Sequence, residues 1–405
     1  MRLQGLLSRR ITVAVCAVAL MLCVAPPSAR AAVRAADAKP IVIGTSVSLS
    51  GIFADGGKSS LEGYQLWIKL QNAKGGLLGR PVELKYYDDQ SEGATGVRLY
   101  ERLINEDKVD LIIGPYGTGL TAPVANVAEK YKMPMLCPET GDLGIFSRGL
   151  RYVFQALGPL PTYLFGVMQI AKDHGYKRLA LVAPNIAFGQ AMIGLVPPIA
   201  RGFGESIVFS DYYPANLSDF SSVVERIRAS NPDAVLAMSF PNDSVGLLRG
   251  LKAANYAPKL FYEAVGAADV QFANNVGGDA QGVISVTGFN NTFTANGTPA
   301  FLAAYRAEYH REPDYHVASN FAAMTVLAAA INKNKSLDQE KLRETLGTIV
   351  VPTITGTYKI DPRNGIQMGY TSFIFQWQNG KQVILYPGNV AQGKPKLPFP
   401  SWTGR

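Results

Sequence analysis

Residues 41–90 read IVIGTSVSLSGIFADGGKSSLEGYQLWIKLQNAKGGLLGRPVELKYYDDQ. An apolar run of β type, Ile41 to Leu49, ends at Ser50-Gly51, and a loop carrying Phe53, Asp55, Gly56 and Gly57 follows. Leu61, Tyr64, Trp67, Ile68 and Leu70 then recur at helical spacing until Gly75-Gly76. Glycine at that point stops a helix, because it takes left-handed backbone at little cost. A second β run, Val82 to Tyr87, closes the unit. Strand, turn, helix and strand follow one another with little linking chain, the grammar of a βαβ crossover.

The same grammar continues. Val109 to Ile113, Met133 to Leu136, Leu179 to Ala183, Ile207 to Tyr212, Ala234 to Ser239, Leu260 to Tyr262 and Gly282 to Thr287 are short apolar runs of strand length, separated by segments of helical period. Ser222 to Ala229 is one such segment: Val223, Val224 and Ile227 share a face, Ser218-Asp219 precede it and Asn231-Pro232 break it. This alternation predicts largely parallel sheets. The strand-then-loop stretches at 177–183 and 232–238 repeat the pattern of 108–114, so the two halves look alike. A chain of this length has room for two cored domains. Only the Gly/Pro-rich segment after Pro387 reads as an extended tail.

The N-terminus predicts export. Arg2, Arg9 and Arg10 form a positive region, Ile11 to Val24 an apolar one, and Ala29-Arg30-Ala31 or Val33-Arg34-Ala35 a small-residue cleavage site, giving a signal peptide over 1–35. The apolar stretch is shorter than the ~20 residues a spanning helix needs. Ser8-Arg9-Arg10-Ile11 leaves the twin-arginine route open beside the general one. Cys16 and Cys23 lack the small residue that precedes a lipoprotein cysteine. Cleavage removes five arginines and no acid, taking the formal charge from +8 to +3, and with it the support for a nucleic-acid partner. Cys137 then remains alone, so no intrachain disulfide forms even in an oxidising compartment.

The sharpest local motif runs from Asp110 to Pro123, DLIIGPYGTGLTAP, a strand entering a glycine turn and a helix. Gly117-Thr118-Gly119-Leu120-Thr121-Ala122 fits the dinucleotide fingerprint G-x-G-x-x-A, a weak match when it stands alone. Pro123 suits the first turn of a helix, where its missing N–H is not needed. A helix start of this kind accepts any anion, carboxylate as well as phosphate, while Thr118 and Thr121 could equally just cap it.

The order of these segments, with Asn72-Ala73-Lys74-Gly75-Gly76 and the closing Tyr86-Tyr87-Asp88-Asp89, resembles the branched-chain amino-acid receptors of bacterial ABC importers, from Pro40 to about Pro387. The resemblance implies an α/β fold of two doubly wound Rossmann-like lobes joined by a three-strand hinge, the type I periplasmic binding protein. Lobe 1 would hold residues 40–157 and 288–366, lobe 2 residues 158–287 and 367–390, and 391–405 would form the tail. It also implies a monomeric periplasmic receptor that closes on a small ligand bearing a carboxylate and delivers it to an inner-membrane permease, without cofactor or catalysis. A ligand sensor for a signalling partner is the alternative.

Site residues follow from the same resemblance. The segment ending in Thr121-x-Pro123 places Gly117, Thr118 and Gly119 on the ligand carboxylate, and Met135 to Gly141 supplies Glu139, Thr140 and Gly141 to the same wall. From the opposing lobe come Phe188 and Phe240, with Phe53, Tyr116 and Tyr262 as further aromatic candidates. The family pairs the ligand ammonium with an acid whose place here is taken by Ala264. Glu263 serves if the loop register slips by one; otherwise the ligand lacks an amino group, and an aromatic or apolar acid fits. His316, at the start of an apolar helix, either faces the cleft or makes ordinary surface hydrogen bonds. His174, His310 and His316 have no metal-ligand spacing and no H-E-x-x-H, C-x-x-C or G-x-S-x-G occurs, so neither metal nor catalytic chemistry is expected. Asp88-Asp89 reads as a solvated pair or hinge partner rather than a metal site.

Overall fold

The structure is a computed structural model that describes residues 38–403. The expected signal peptide, with Cys16 and Cys23, lies outside the described residues.

Five short strands, β1 (Ile41–Val47), β2 (Val82–Asp88), β3 (Leu111–Ile113), β4 (Met135–Cys137) and β5 (Val153–Gln155), form a parallel sheet in the order β2-β1-β3-β4-β5. A second sheet of seven strands has the order β14-β13-β10-β9-β8-β6-β7. Its parallel part consists of β6 (Arg178–Pro184), β7 (Ser206–Tyr213), β8 (Ala234–Ala237), β9 (Leu260–Glu263) and β10 (Ile284–Thr287). β11 (Val351–Thr353) and β12 (Gly356–Tyr358) form a small hairpin. β13 (Phe373–Gln378) and β14 (Lys381–Tyr386) then add antiparallel strands to the second sheet. All four residues of β8 are fully buried, as strands covered by helices on both faces must be. The two-lobed α/β fold expected from the alternation is the fold found.

Strand order reverses between β1 and β3 in the first sheet, and between β6 and β8 in the second. Ligand crevices in doubly wound sheets open at such switch points, at the carboxyl ends of the strands. The loops leaving those ends carry Gly51 to Phe53, Gly114 to Tyr116, Asn185-Ile186 and Met238 to Phe240. They lead into helices α1 (Ala54–Ala73), α2 (Gly93–Asn105, after β2), α3 (Gly117–Lys130), α4 (Ala187–Phe203) and, after α5 (Ser221–Ala229), α6 (Pro241–Ala253). A long helix, α7 (Tyr315–Asn334), returns to pack on α1 in the first lobe.

Two helix starts differ from expectation. α1 begins at Ala54, so Asp55, Gly56 and Gly57 are its first turn rather than loop. Gly57 is required there: a Cβ would stand 1.9 Å from the Ser48 carbonyl oxygen. α3 begins at Gly117, which puts Pro123 inside the helix instead of at its start. The missing N–H of Pro123 frees the Gly119 carbonyl. Gly93 packs against that oxygen so closely that a Cβ would lie 2.7 Å from it.

The tail is extended but docked on the second lobe. Gln376 and Gln378 side-chain amides donate to the Lys396 and Lys394 carbonyls, and the Phe399 N–H donates to the Lys259 carbonyl at 2.8 Å. Phe399 is buried against Phe261, their ring centroids 5.7 Å apart. Among the described residues, no helix is long and apolar enough to cross a membrane.

Candidate functional site

The adjacent acids at the end of β2 point to opposite faces and clamp the loop that presents Phe53. Asp89 is fully buried and accepts from the Ser46 hydroxyl at 2.7 Å, the Ser48 hydroxyl at 2.6 Å and the Ser91 N–H at 3.0 Å. Asp88 accepts from the N–H groups of Leu49 and Gln90 and from the Ser50 hydroxyl. Phe53 N–H in turn donates to Ser91 Oγ at 3.1 Å. Asp89 is therefore structural rather than solvated, while Asp88 is half-buried and holds the same loop from its outer side. Among the described residues, no group of three His, Cys, Asp or Glu could hold a metal ion.

His316 owes its position to small residues on α1. At Gly63 a Cβ would meet the Val317 carbonyl oxygen at 2.5 Å, and at Gly56 it would meet the His316 ring at 3.0 Å. Helices α1 and α7 can approach this closely only because Gly56, Ser60 and Gly63 fall on one face. His316 is consequently buried, its Nδ1 2.5 Å from Glu139 Oε1, while Glu139 Oε2 accepts from the Ser60 hydroxyl at 2.6 Å. Burial opposes a charged imidazole, but the charge and hydrogen bond of Glu139, with Asp314 and Asp269 behind, outweigh it and raise the His316 pKa above its ordinary value. The surface reading of His316 is thereby excluded.

Four aromatic rings from the two lobes meet in the cleft. Phe53 lies 5.1 Å from Tyr116 and 5.2 Å from Phe240 between ring centroids, and Phe240 lies 5.3 Å from Phe188. Tyr116 also stacks edge-on against His316 at 5.0 Å. Phe53 and Phe240 border two cavities, of about 550 and 370 Å³. The larger reaches Gly117 to Leu120 and Ile186 to Phe188, and the smaller reaches Gly56, Asp243 and His316. Behind the rings a third space of about 30 Å³ is enclosed by Glu139, Thr140, Gly141, Tyr163 and Tyr315 with Tyr116, Phe188 and Phe240. The Thr140 hydroxyl there is buried without a hydrogen-bond partner.

Among the described residues, no lysine or arginine lines any of these three spaces. Positive potential comes instead from helix starts, since α2, α3 and α4 all begin on the larger cavity. The first-turn amides of a helix lack partners within it, which leaves the N–H groups of Thr118 and Gly119 without an intrahelical acceptor at the cavity. Gly117 differs: its N–H is already given to the Glu139 carbonyl at 3.1 Å. What Gly117 contributes is its backbone, at φ +75° with open space where a side chain would project. Thr121 does not cap α3 but donates to the Pro115 carbonyl at 3.0 Å.

Tyr262 and Glu263 are not brought to the cleft wall. Both are fully buried in β9, where the Tyr262 hydroxyl donates to the Tyr163 carbonyl at 2.9 Å. Neither Glu263 oxygen makes a well-formed hydrogen bond, although the Ser244 hydroxyl is its polar neighbour. Burial, and to a lesser degree the Asp243 charge, raise its pKa well above the usual carboxyl range. Strand pairing explains the placement: Glu263 is in register with Ala237 and Ser285, inside the sheet rather than beyond its end. Sequence reasoning missed Ser60, Tyr163, Tyr315 and Asp243. The Gly56, Ser60, Gly63 spacing was a readable sign of a close helix crossing; the tyrosines carry no local sign.

A family model described as periplasmic binding protein matches residues 40–382. A Leu/Ile/Val-binding protein homolog from Brucella abortus (strain 2308) is 27% identical over 378 residues, which covers 88% of this chain and 93% of that one. The fold is similar to that of a leucine-binding protein from Thermotoga maritima (TM-score 0.78, 22% identity, covering 85% of this chain and 97% of that one). It is equally similar to a solute-binding protein from R. palustris in complex with benzoate (TM-score 0.77, 20% identity, covering 90% and 97%).

Proposed function

The chain belongs to the periplasmic binding protein family, and from that premise we propose that it is an exported solute-binding receptor of an ABC importer, one that captures a small carboxylate-bearing ligand between its lobes and delivers it to the membrane permease. The ligand is an amino acid or an aromatic or apolar acid. The observation that carries this reading is the meeting, in one interlobe cleft, of the open helix start at Thr118-Gly119, the His316–Glu139 pair and the rings of Phe53, Tyr116, Phe188 and Phe240. Each chemical part of such a ligand then has a counterpart. A carboxylate at a helix start gains about 0.3–1 kcal/mol at a surface and up to ~2 kcal/mol when partly buried. The apolar part rests on the rings, whose mutual contacts show how much area they can cover.

Capture would proceed by hinge closure. Phe53 and Tyr116 belong to the first lobe and Phe188 and Phe240 to the second, so opening separates the wall and closing rebuilds it around the ligand. The relatives support the two ligand classes, one named for leucine and one holding benzoate. The test is a thermal-shift screen of the protein from Ala36 onward against aliphatic amino acids and against aromatic carboxylates without an amino group. A ligand of the folded state raises the midpoint with RT ln(1 + [L]/Kd). A concentration-dependent rise with members of either series is expected; no response to any member at millimolar concentration overturns the reading.

A further inference from the structure

Asp243 is the third residue of α6, only 5% exposed, and lines the smaller cavity with Phe53, Phe240 and His316. Its Oδ2 accepts from the Tyr213 hydroxyl at 3.2 Å and from the Phe240 N–H at 3.3 Å, the latter a helix-capping bond. Both of these bonds go to Oδ2. Capping therefore accounts for that oxygen and not for the other. Burial pushes the carboxyl up to about 6, which still leaves it ionised at neutral pH. Burial disfavours the charged form of Glu263, nearby in the sheet, and among the described residues no lysine or arginine lines the cavity to meet the Asp243 charge. His316, the one cationic side chain on that cavity among the described residues, is already engaged by Glu139. A buried carboxylate without a cation is costly, and a ligand that brings the cation removes the cost.

We propose that Asp243 receives a protonated amine of the ligand, so that the receptor selects zwitterions over simple acids. The carboxylate is held at the start of α3 and the ammonium is met from the second lobe, by α6 rather than by the β9 end where Ala264 stands. The inference rests on the receptor reading above and narrows its ligand class. Phe240, next to the capping bond, and Phe53 offer ring faces to the same cation.

Calorimetric titrations with matched probes test it: L-phenylalanine, 3-phenylpropanoate and 2-phenylethylamine, and the corresponding leucine, 4-methylpentanoate and 3-methylbutylamine, on the full mature chain and on Asp243→Asn. Asparagine keeps the shape and the capping acceptor. Wild type is expected to bind an amino acid at least tenfold tighter than its amine-free partner, and Asp243→Asn to lose that preference through a 10- to 100-fold loss for the amino acid alone. A merely structural role would weaken both probes together. Preference of wild type for the amine-free acid, or full retention of the amino-acid preference in Asp243→Asn, overturns the inference while leaving the receptor reading intact. Failure of wild type to bind any probe overturns both. Should the variant not fold, the wild-type ratio alone decides.

Discussion

Gly63 on α1 and Val317 on α7 touch backbone to backbone, a Cβ at residue 63 having no room before the Val317 carbonyl oxygen 2.5 Å away. His316 is the neighbour of Val317 and lies over Gly56 one end of that contact further along, so helix spacing and site geometry are a single property. Prising the helices apart must move the imidazole away from Glu139.

Gly63→Val should therefore destabilise the first lobe by about 2 kcal/mol, the scale of overpacking less the gain in helix propensity, and weaken ligand binding at the same time. Gly194→Ala on α4, where a Cβ meets nothing within 4 Å, should stabilise by up to about 1 kcal/mol and leave binding unchanged. Thermal unfolding and titration of both variants check the pair. Equal behaviour would show that the close crossing does not position the site.

The His316–Glu139 pair predicts a pH dependence with a definite sign. Because the folded-state pKa of His316 is raised, its contribution to stability is complete below the unfolded value of about 6.5 and is lost as pH rises through the folded value. The midpoint difference between wild type and His316→Gln should accordingly be largest near pH 6 and shrink toward pH 9. Glu139→Ala, which leaves a buried half-pair, should cost about 3–5 kcal/mol at pH 6. A midpoint difference that stays flat across this range would refute the charged pair.

How much of this was legible beforehand differs from residue to residue. Ile41 to Gln90 announced its strand, helix and glycine stop because periodicity and caps are local, and Gly75-Gly76 indeed take positive φ. The start of α1 was misplaced, since Gly56 and Gly57 look like loop until one sees that Ser48 and His316 occupy the space of their side chains. Pro123 misled in the same way: whether a proline begins or interrupts a helix depends on what takes the carbonyl it abandons. Phe188 and Phe240 were found by their place after strands, but whether Glu263 or Ala264 leaves the sheet turns on where β9 ends, and that end is fixed by pairing with β8 and β10 rather than by any local sign.

The tail offers a separate prediction. Phe399→Ala should destabilise the second lobe by about 3 kcal/mol, because it empties a buried aromatic site against Phe261 and lies beside Trp402, whose indole N–H donates to the Tyr256 carbonyl at 2.8 Å. None of these residues borders the cleft, so ligand affinity should hold. Proteolysis of the variant would locate the loosened segment; a loss of affinity as large as the loss of stability would mean that the tail takes part in closure.

Phe240 gives the most direct test of the cleft. Its ring contacts Phe53 across the lobes at 5.2 Å and Phe188 within its own lobe at 5.3 Å, and it borders all three spaces. Truncation to alanine removes the interlobe contact and one wall of the apolar part of the site. An aromatic contact of this kind is worth about 0.5–1.5 kcal/mol beyond its buried area, so Phe240→Ala should lose ten- to a hundredfold in affinity. Phe240 is only partly buried in the free protein, which predicts a small change in the unliganded midpoint. Phe240→Leu should recover part of the affinity for aliphatic ligands and less for aromatic ones, since it restores bulk without the ring. Titration of both variants with leucine and with phenylalanine separates these effects, and an unchanged affinity in Phe240→Ala would place the ligand elsewhere than between Phe53 and Phe240.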